Sequence, residues 1–365
     1  MSTRIGIVGM PNAGKSSLFN ALTKAGAEAA NYPFTTIEPN VAVVPVRDPR
    51  LELLAATVGA SEIVWDTIDF HDIAGLVAGA HKGEGLGNRF LANIRETDAI
   101  VHVVRAHGDE NVIHPEGRVD PLSDIETIEA ELVLADLEQA ERRVERLAKQ
   151  ARGGDAAAAA EEAWLRTVIA ELQAGRPVRG VPVPEEAPHA ARDLGSLTAK
   201  PVLFVANVDE GSDEVPAAVA EHAAAQGARA VAVSSRIESE LAELDDEEAA
   251  AMRAELSAGS AGGAAPLERV IQEAFALLEL LAFFTAGEGK PAQSWHLRRG
   301  LSVWHAAGEI HTDIQKGFVR AEVIAWDELV AAGGYAGARD RGTLRTEGRE
   351  YAVADGDVIT VKFTP

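Results

Sequence analysis

The octet Gly9-Met10-Pro11-Asn12-Ala13-Gly14-Lys15-Ser16 reads G-x-x-x-x-G-K-S, and it constrains the fold more than any other stretch of the chain. The apolar run Ile5-Gly6-Ile7-Val8 before it suits a buried strand. The residues after it set Leu18 and Leu22 on one helical face. Strand, glycine loop and helix in that order form the context in which this spacing binds phosphate. Glycines let the backbone curl so that successive N–H groups point at phosphate oxygens, and the helix adds its positive N-terminal end. The expected nucleotide contacts are Asn12, Ala13, Gly14, Lys15, Ser16 and Ser17. Lys15 neutralises the β- and γ-phosphates and is a catalytic group, and Ser16 holds Mg²⁺. The fold class expected from this start is α/β, a P-loop NTPase with a mostly parallel sheet.

Residues 31–40 have neither helical nor strand periodicity, and Pro33 and Pro39 stand within them. They read as an exposed loop. In this class of NTPase a threonine there completes the Mg²⁺ shell and senses the γ-phosphate. Thr36 is the first choice and Thr35 the alternative. Residues 41–46 read as a strand. Asp48 and Pro49 read as the N-cap and first residue of a short helix. A strand over 63–70 delivers Asp72-Ile73-Ala74-Gly75, a D-x-x-G in which Asp72 holds Mg²⁺ through water and the Gly75 N–H bonds the γ-phosphate. Leu76 follows, where many GTPases carry a water-positioning glutamine. Hydrolysis is therefore expected to be slow, or the water to be oriented by another group. His114, in a polar loop beyond the strand over 98–105, is the candidate, against the alternative of a solvated loop histidine. His102, inside that strand, reads as structural. Glycines crowd residues 77–88, which read as a mobile loop.

Helical periodicity runs over 122–151, breaks at Arg152-Gly153-Gly154-Asp155, and resumes to near Gly175. This predicts an antiparallel helical hairpin. A strand over 201–206 ends in Asn207-Val208-Asp209-Glu210. GTPases read guanine at this place with N-K-x-D. Here Val208 replaces the lysine, and Glu210 is one methylene longer than Asp. A carboxylate has no partner on adenine N1, so guanine preference should relax or invert. Ser234 and Ser235, after a strand over 230–233, stand where a loop would touch the base edge. Residues 241–256 read as helix, 259–266 as a linker and 267–278 as helix. Beyond 280 short strands, turns and aromatics alternate, and 351–363 reads as strand, Asp-Gly turn, strand. That describes a small β-rich domain with one helix.

The 34 basic and 57 acidic side chains leave a net charge of −23, which argues against broad nucleic-acid binding; no DNA partner is expected. The absence of cysteine excludes disulfides, thiolate zinc sites and a cysteine nucleophile. No apolar run approaches a membrane span and no signal peptide fits before the first strand. A cytoplasmic protein without a membrane partner is expected.

The quoted motifs, with Lys82-Gly83-Glu84-Gly85-Leu86-Gly87-Asn88, Ala307–Phe318 and Asp355-Gly356-Asp357-Val358, resemble the YchF-type Obg-like ATPases from end to end. The resemblance implies an Obg-type G domain over 1–120 and 198–278. It implies a coiled-coil hairpin inserted over 121–197 and a ubiquitin-like α+β TGS domain over 279–365. It implies binding and slow hydrolysis of ATP, with GTP also accepted, and Mg²⁺ at Ser16 and Thr36. Adenine contacts would fall at Asn207 and the Val208 backbone. Leucine at 76 and a histidine in the loop holding His114 are family traits. The family is associated with ribosomes and stress responses, so a ribosome or large-subunit RNA partner is expected. Two alternatives stand beside the ATP-driven switch. One is a GTP-specific switch. The other is an RNA- or ribosome-binding adaptor with structural nucleotide, using Arg298, Arg299, Lys316 and Arg320 or Arg339, Arg341 and Arg345 as a basic face.

Overall fold

The computed structural model describes residues 3–28, 40–73, 86–108, 114, 117–151, 153–244, 248–249, 251–252 and 265–364. Two compact units share the chain. The larger holds Thr3–Val44 and Asp69–Ala274; the smaller holds Pro45–Ile68 and Phe275–Pro365.

In the larger unit a six-stranded sheet runs in the order β2-β4-β1-β5-β6-β7. Its strands are β1 (Thr3–Val8), β2 (Val41–Pro45), β4 (Thr67–Asp72), β5 (Ala99–Arg105), β6 (Val202–Asn207) and β7 (Arg229–Val233). β1 pairs with β5, β5 with β6 and β6 with β7, all parallel. Every residue of β5 and β6 is buried, because parallel strands at the centre are covered on both faces. Helix α1 (Lys15–Glu28) follows β1. Helices α3 (Leu86–Arg95), α4 (Pro121–Ala151) and α7 (Ala217–Ala225) cover one face. There Leu91, Ile94, Ile128, Leu132 and Val219 meet Val8, Ile100, Val202 and Phe204.

α4 continues beyond the sheet and packs against α5 (Ala156–Gln173) through Ala140, Trp164, Leu165 and Val168. The turn between them contains Gly154 at φ 88°, and the Asp155 side chain caps α5 by accepting from Ala158 N. The return path passes a short helix, α6 (Ala190–Leu194). It is pinned to α4 by Asp136, a fully buried carboxylate that accepts from Leu197 N (2.9 Å), Thr198 N (2.8 Å) and Thr198 Oγ1 (2.7 Å). None of the described helices is long and apolar enough to cross a membrane.

The expected helix over 241–256 differs from what is found. Helix α8 spans Ser235–Leu241, and residues 248–249 and 251–252 are helical; 245–247, 250 and the stretch from 253 through most of the 259–266 linker lie outside the described residues. Helix α9 (Pro266–Leu277) follows, close to its expected place.

The smaller unit has its own six-stranded sheet, β11-β10-β12-β8-β9-β3. Its strands are β3 (Ile63–Val64), β8 (Leu280–Thr285), β9 (Ala292–Arg298), β10 (Phe318–Ala325), β11 (Arg345–Glu347) and β12 (Asp357–Phe363). The β8–β9, β10–β11 and β10–β12 pairs are antiparallel, and β12–β8 and β3–β9 are parallel. β8 has a strict period of two: Leu281 and Phe283 enter one core, Ala282 and Phe284 the other. Helix α2 (Pro49–Val58) belongs here. Asp48 caps it and Pro49 opens it as expected, and Leu51, Leu54, Ala55 and Val58 pack with Phe284, Ile324, Leu329 and Val358. Arg50 bonds Asp48 and reaches Asp355 Oδ2 at 2.6 Å.

Three expectations are corrected in this unit. Residues 45–68, placed by sequence with 1–120, fold with the C-terminal residues, because the apolar face of α2 finds its partners on β8, β10 and β12. The single strand over 63–70 is two strands in two sheets. Asp66 stands at the break, donating its N–H to Ser294 Oγ at 2.9 Å and pairing its carboxylate with His296. Finally, 351–363 is not a hairpin. Ala352 makes one bridge to Ser302, and the Asp357 carboxylate accepts from Ala354 N and Tyr351 Oη to close the turn before β12. Four short helices replace the one expected: α10 (Val303–Ile310), α11 (Thr312–Lys316), α12 (Trp326–Ala331) and α13 (Tyr335–Arg341).

Candidate functional site

The loop between β1 and α1 forms a concave backbone turn. Asn12 sits at φ 62° and Gly14 at φ 102°, left-handed conformations that bend the chain back on itself. Ala13 N donates to Met10 O at 3.2 Å, and Lys15 Nζ donates to the same carbonyl at 2.8 Å. The ammonium is thereby held over the loop. It is largely buried, and burial pushes its pKa down while Asp72 opposes the shift. Asp72 shows the reciprocal behaviour: burial raises its pKa and Lys15 lowers it. The strand end carrying Asp72 therefore lies within electrostatic reach of the P-loop lysine. Its own N–H donates to Asn40 O at 2.9 Å. Lys15, Ser16 and Ser17 open α1, whose first turn has no acidic residue. Ser16 is exposed and Ser17 half-buried. An exposed helix N-terminus beside a cation is a place for an anion.

Asn207, at the end of β6, ties this loop to the loop after β7. Its Nδ2 donates to Ala13 O at 3.0 Å, and its Oδ1 accepts from Ser235 N at 2.9 Å. The approach is so close that a side chain at Gly14 would collide with the Asn207 amide. Residues at 14, 207 and 235 thus form one clasp. Ser235 is fully buried and its N–H is spent on Asn207. Ser234 is half-buried. Val208 turns its side chain into the core with Ala206 and Ala232, and its N–H donates to Val233 O at 3.0 Å. Glu210 is exposed, with Oε1 2.8 Å from Arg236 Nη2.

His114 lies apart from these groups in its contacts. It is buried, and its Nε2 is 3.0 Å from Asp124 Oδ2 in the first turn of α4. Thr35, Thr36, Gly75 and Leu76 lie outside the described residues. Of the basic residues considered for a surface face, Arg345 covers the Tyr351 ring and approaches Asp357, Lys316 approaches Asp313, and Arg341 bonds Ala331 O. Sequence reasoning placed Arg236 in the base-edge loop with Ser234 and Ser235 but missed its pairing with Glu210, and it missed Met10 and Asp124. The Met10 carbonyl and the Asp124 pairing carried no signal of their own.

Comparison with known proteins fits this geometry. A family model described as a 50S ribosome-binding GTPase matches residues 4–142. A YchF GTPase C-terminal model, described as a protein of unknown function, matches residues 280–364. The ribosome-binding ATPase YchF of Haemophilus influenzae is 50% identical, over 100% of this chain and 99% of that protein. The protein of the same name from Bacillus subtilis is 46% identical over the full length of both. The structure of the YchF GTPase of Schizosaccharomyces pombe superposes with a TM-score of 0.87 at 34% identity, covering 99% of this chain and 98% of that one. A GTP binding protein from Pyrococcus horikoshii, at 20% identity and a TM-score of 0.63, shares the fold. With a P-loop clasp built on Asn207 and relatives that match along its whole length, the chain belongs to the YchF family.

Proposed function

We propose that this chain binds ATP with Mg²⁺ at the P-loop, hydrolyses it slowly, and works as a nucleotide-dependent switch with the ribosome in the cytoplasm. The observation that carries the reading is the clasp of Gly14, Asn207 and Ser235 over a buried Lys15. The N–H groups of Asn12 and of residues 14–17, with the Lys15 ammonium, receive the phosphates, the Ala13 N–H being held by Met10 O. The exposed Ser16 hydroxyl and the Asp72 carboxylate are oxygen donors suited to Mg²⁺, Asp72 through water, with Thr36 completing the set. When bound, the cation neutralises charge that develops on the phosphate oxygens. Asn207 keeps the base loop fixed to the P-loop. The Val208 backbone meets the base, since its side chain is buried and cannot cover a ring as a lysine stem would.

Leu76 carries no group that can orient water. We assign that role to His114, which requires its ring to leave Asp124 and turn toward the γ-phosphate. We further read 1–44, 69–120 and 198–274 as the G domain, 121–197 as a coiled-coil arm, and the unit of 45–68 with 275–365 as the one that carries a TGS domain, the last two being the parts that meet a partner. The local pairing of Arg345, Lys316 and Arg341 speaks against a purely RNA-binding adaptor. A GTP-specific switch is the second reading, favoured by the names of the fission yeast protein and of the N-terminal family model.

Single-turnover and steady-state ATPase assays test the assignment. Lys15→Ala should abolish hydrolysis. His114→Ala should lower kcat by about 10²-fold, within the range of a lost proton-handling or water-orienting group, with ATP affinity retained. Turnover by Lys15→Ala at the wild-type rate would end the site assignment. An unchanged kcat in His114→Ala would make that histidine a structural plug against α4.

A further inference from the structure

Glu210 stands where N-K-x-D proteins place the acid that accepts from guanine N1–H and the 2-amino group. In this structure its carboxylate already has a donor. Oε1 of Glu210 lies 2.8 Å from Nη2 of Arg236. Arg236 directly follows Ser235, whose N–H holds Asn207, so the ion pair joins the loop after β6 to the start of α8. Nε of Arg236 is also 3.1 Å from Glu240 Oε1, one helical turn on. The guanidinium is thus anchored from its own helix while it reaches across to Glu210.

We propose that Arg236 is a specificity-determining residue: by engaging the Glu210 carboxylate it withholds from guanine the acceptor that guanine recognition needs. Adenine has no N1–H and no 2-amino group, so it asks nothing of that carboxylate. Guanine must compete with a guanidinium for it. The inference rests on the ATP reading of the site given above. Side chains of Arg236 and Glu210 are 66% and 47% exposed, so the pair is a bias on base choice and not a barrier. An exposed ion pair limits the bias to about two- to fivefold.

The test is competition binding of unhydrolysable ATP and GTP analogues with Mg²⁺ to the full chain and its variants, at low and high salt. The wild type should prefer ATP. Arg236→Ala should narrow the ATP-to-GTP ratio about two- to fivefold by strengthening GTP binding. Adding Glu210→Gln to Arg236→Ala should restore the wild-type ratio or exceed it, since the gain acts through the Glu210 carboxylate. High salt should narrow the wild-type ratio and leave that of Arg236→Ala unmoved. An unchanged ratio in Arg236→Ala, with the wild type still preferring ATP, would overturn the role of Arg236 and leave the ATP reading standing. Equal weakening of both nucleotides would also overturn it, since Arg236 would then only brace the loop. A wild-type preference for GTP would overturn the ATP reading and the inference together.

Discussion

His102 is a buried side chain whose protonation is linked to folding. It sits in the middle of β5, 3% exposed, with its ring 5.5 Å from Phe204. Phe204 meets His222 edge-on at 5.6 Å, and His222 pairs with Glu129 at 3.1 Å. Burial pushes the His102 pKa down to about 3, and the charges of His222 and Lys15 add to the shift. The folded state therefore refuses a proton that the unfolded chain accepts below pH ~6.5. Between those values the unfolded state binds more protons, so the stability tied to neutral His102 is complete above pH ~6.5 and is lost as pH falls toward ~3. Urea midpoints measured from pH 7 to pH 4 should fall less steeply for His102→Phe than for the wild type. Parallel curves for the two proteins would show that another group governs acid sensitivity.

At the scale of elements, a buried carboxylate ties the return segment of the helical arm to α4. Asp136 on α4 serves three donors from the segment that returns to the sheet. Burial raises its pKa, while those donors and Arg95 act in the opposite direction. Asp136→Ala would strand buried N–H and hydroxyl donors and should cost about 2–4 kcal/mol in urea unfolding. Asp136→Asn should also destabilise, because its amide brings a donor to a place where donors already converge. A loss below ~1 kcal/mol for Asp136→Ala would mean that water replaces the carboxylate. The helices of the arm were legible in sequence, since a 3.6-residue period and a Gly-Gly break are local signals. So were the strand, glycine loop and helix of the P-loop, which lie in consecutive residues. What sequence could not convey was long-range. Asn207 meets Ala13 across 194 positions, and Leu51 and Leu54 give no sign that their partners are Phe284 and Ile324. The apolar run over 63–70 conceals a change of sheet at Asp66, because periodicity reports that a strand exists and not which sheet receives it.

At the scale of the whole molecule, the divided smaller unit is the dominant fact. A chain ended at Ala274 would keep α2 and lose the strands that bury it. Each of Leu51 and Leu54 then loses about 1.5–3 kcal/mol of burial. Such a truncated protein should bind a hydrophobic dye and unfold without a cooperative transition for residues 45–68. A monomeric, dye-silent truncation with slow amide exchange in α2 would refute this. The same arrangement bears on synthesis. The chain is made from its N-terminus, yet Arg50 meets Asp355 across 305 positions. The segment waiting for that meeting is bracketed in sequence by Thr36 and Asp72, the two residues proposed above as Mg²⁺ ligands beside Ser16. A nascent chain can assemble β1 and α1 early, but the stretch between those two residues cannot reach its final packing until β12 has been translated. The mature form of the switch is in this way a property of completed chains.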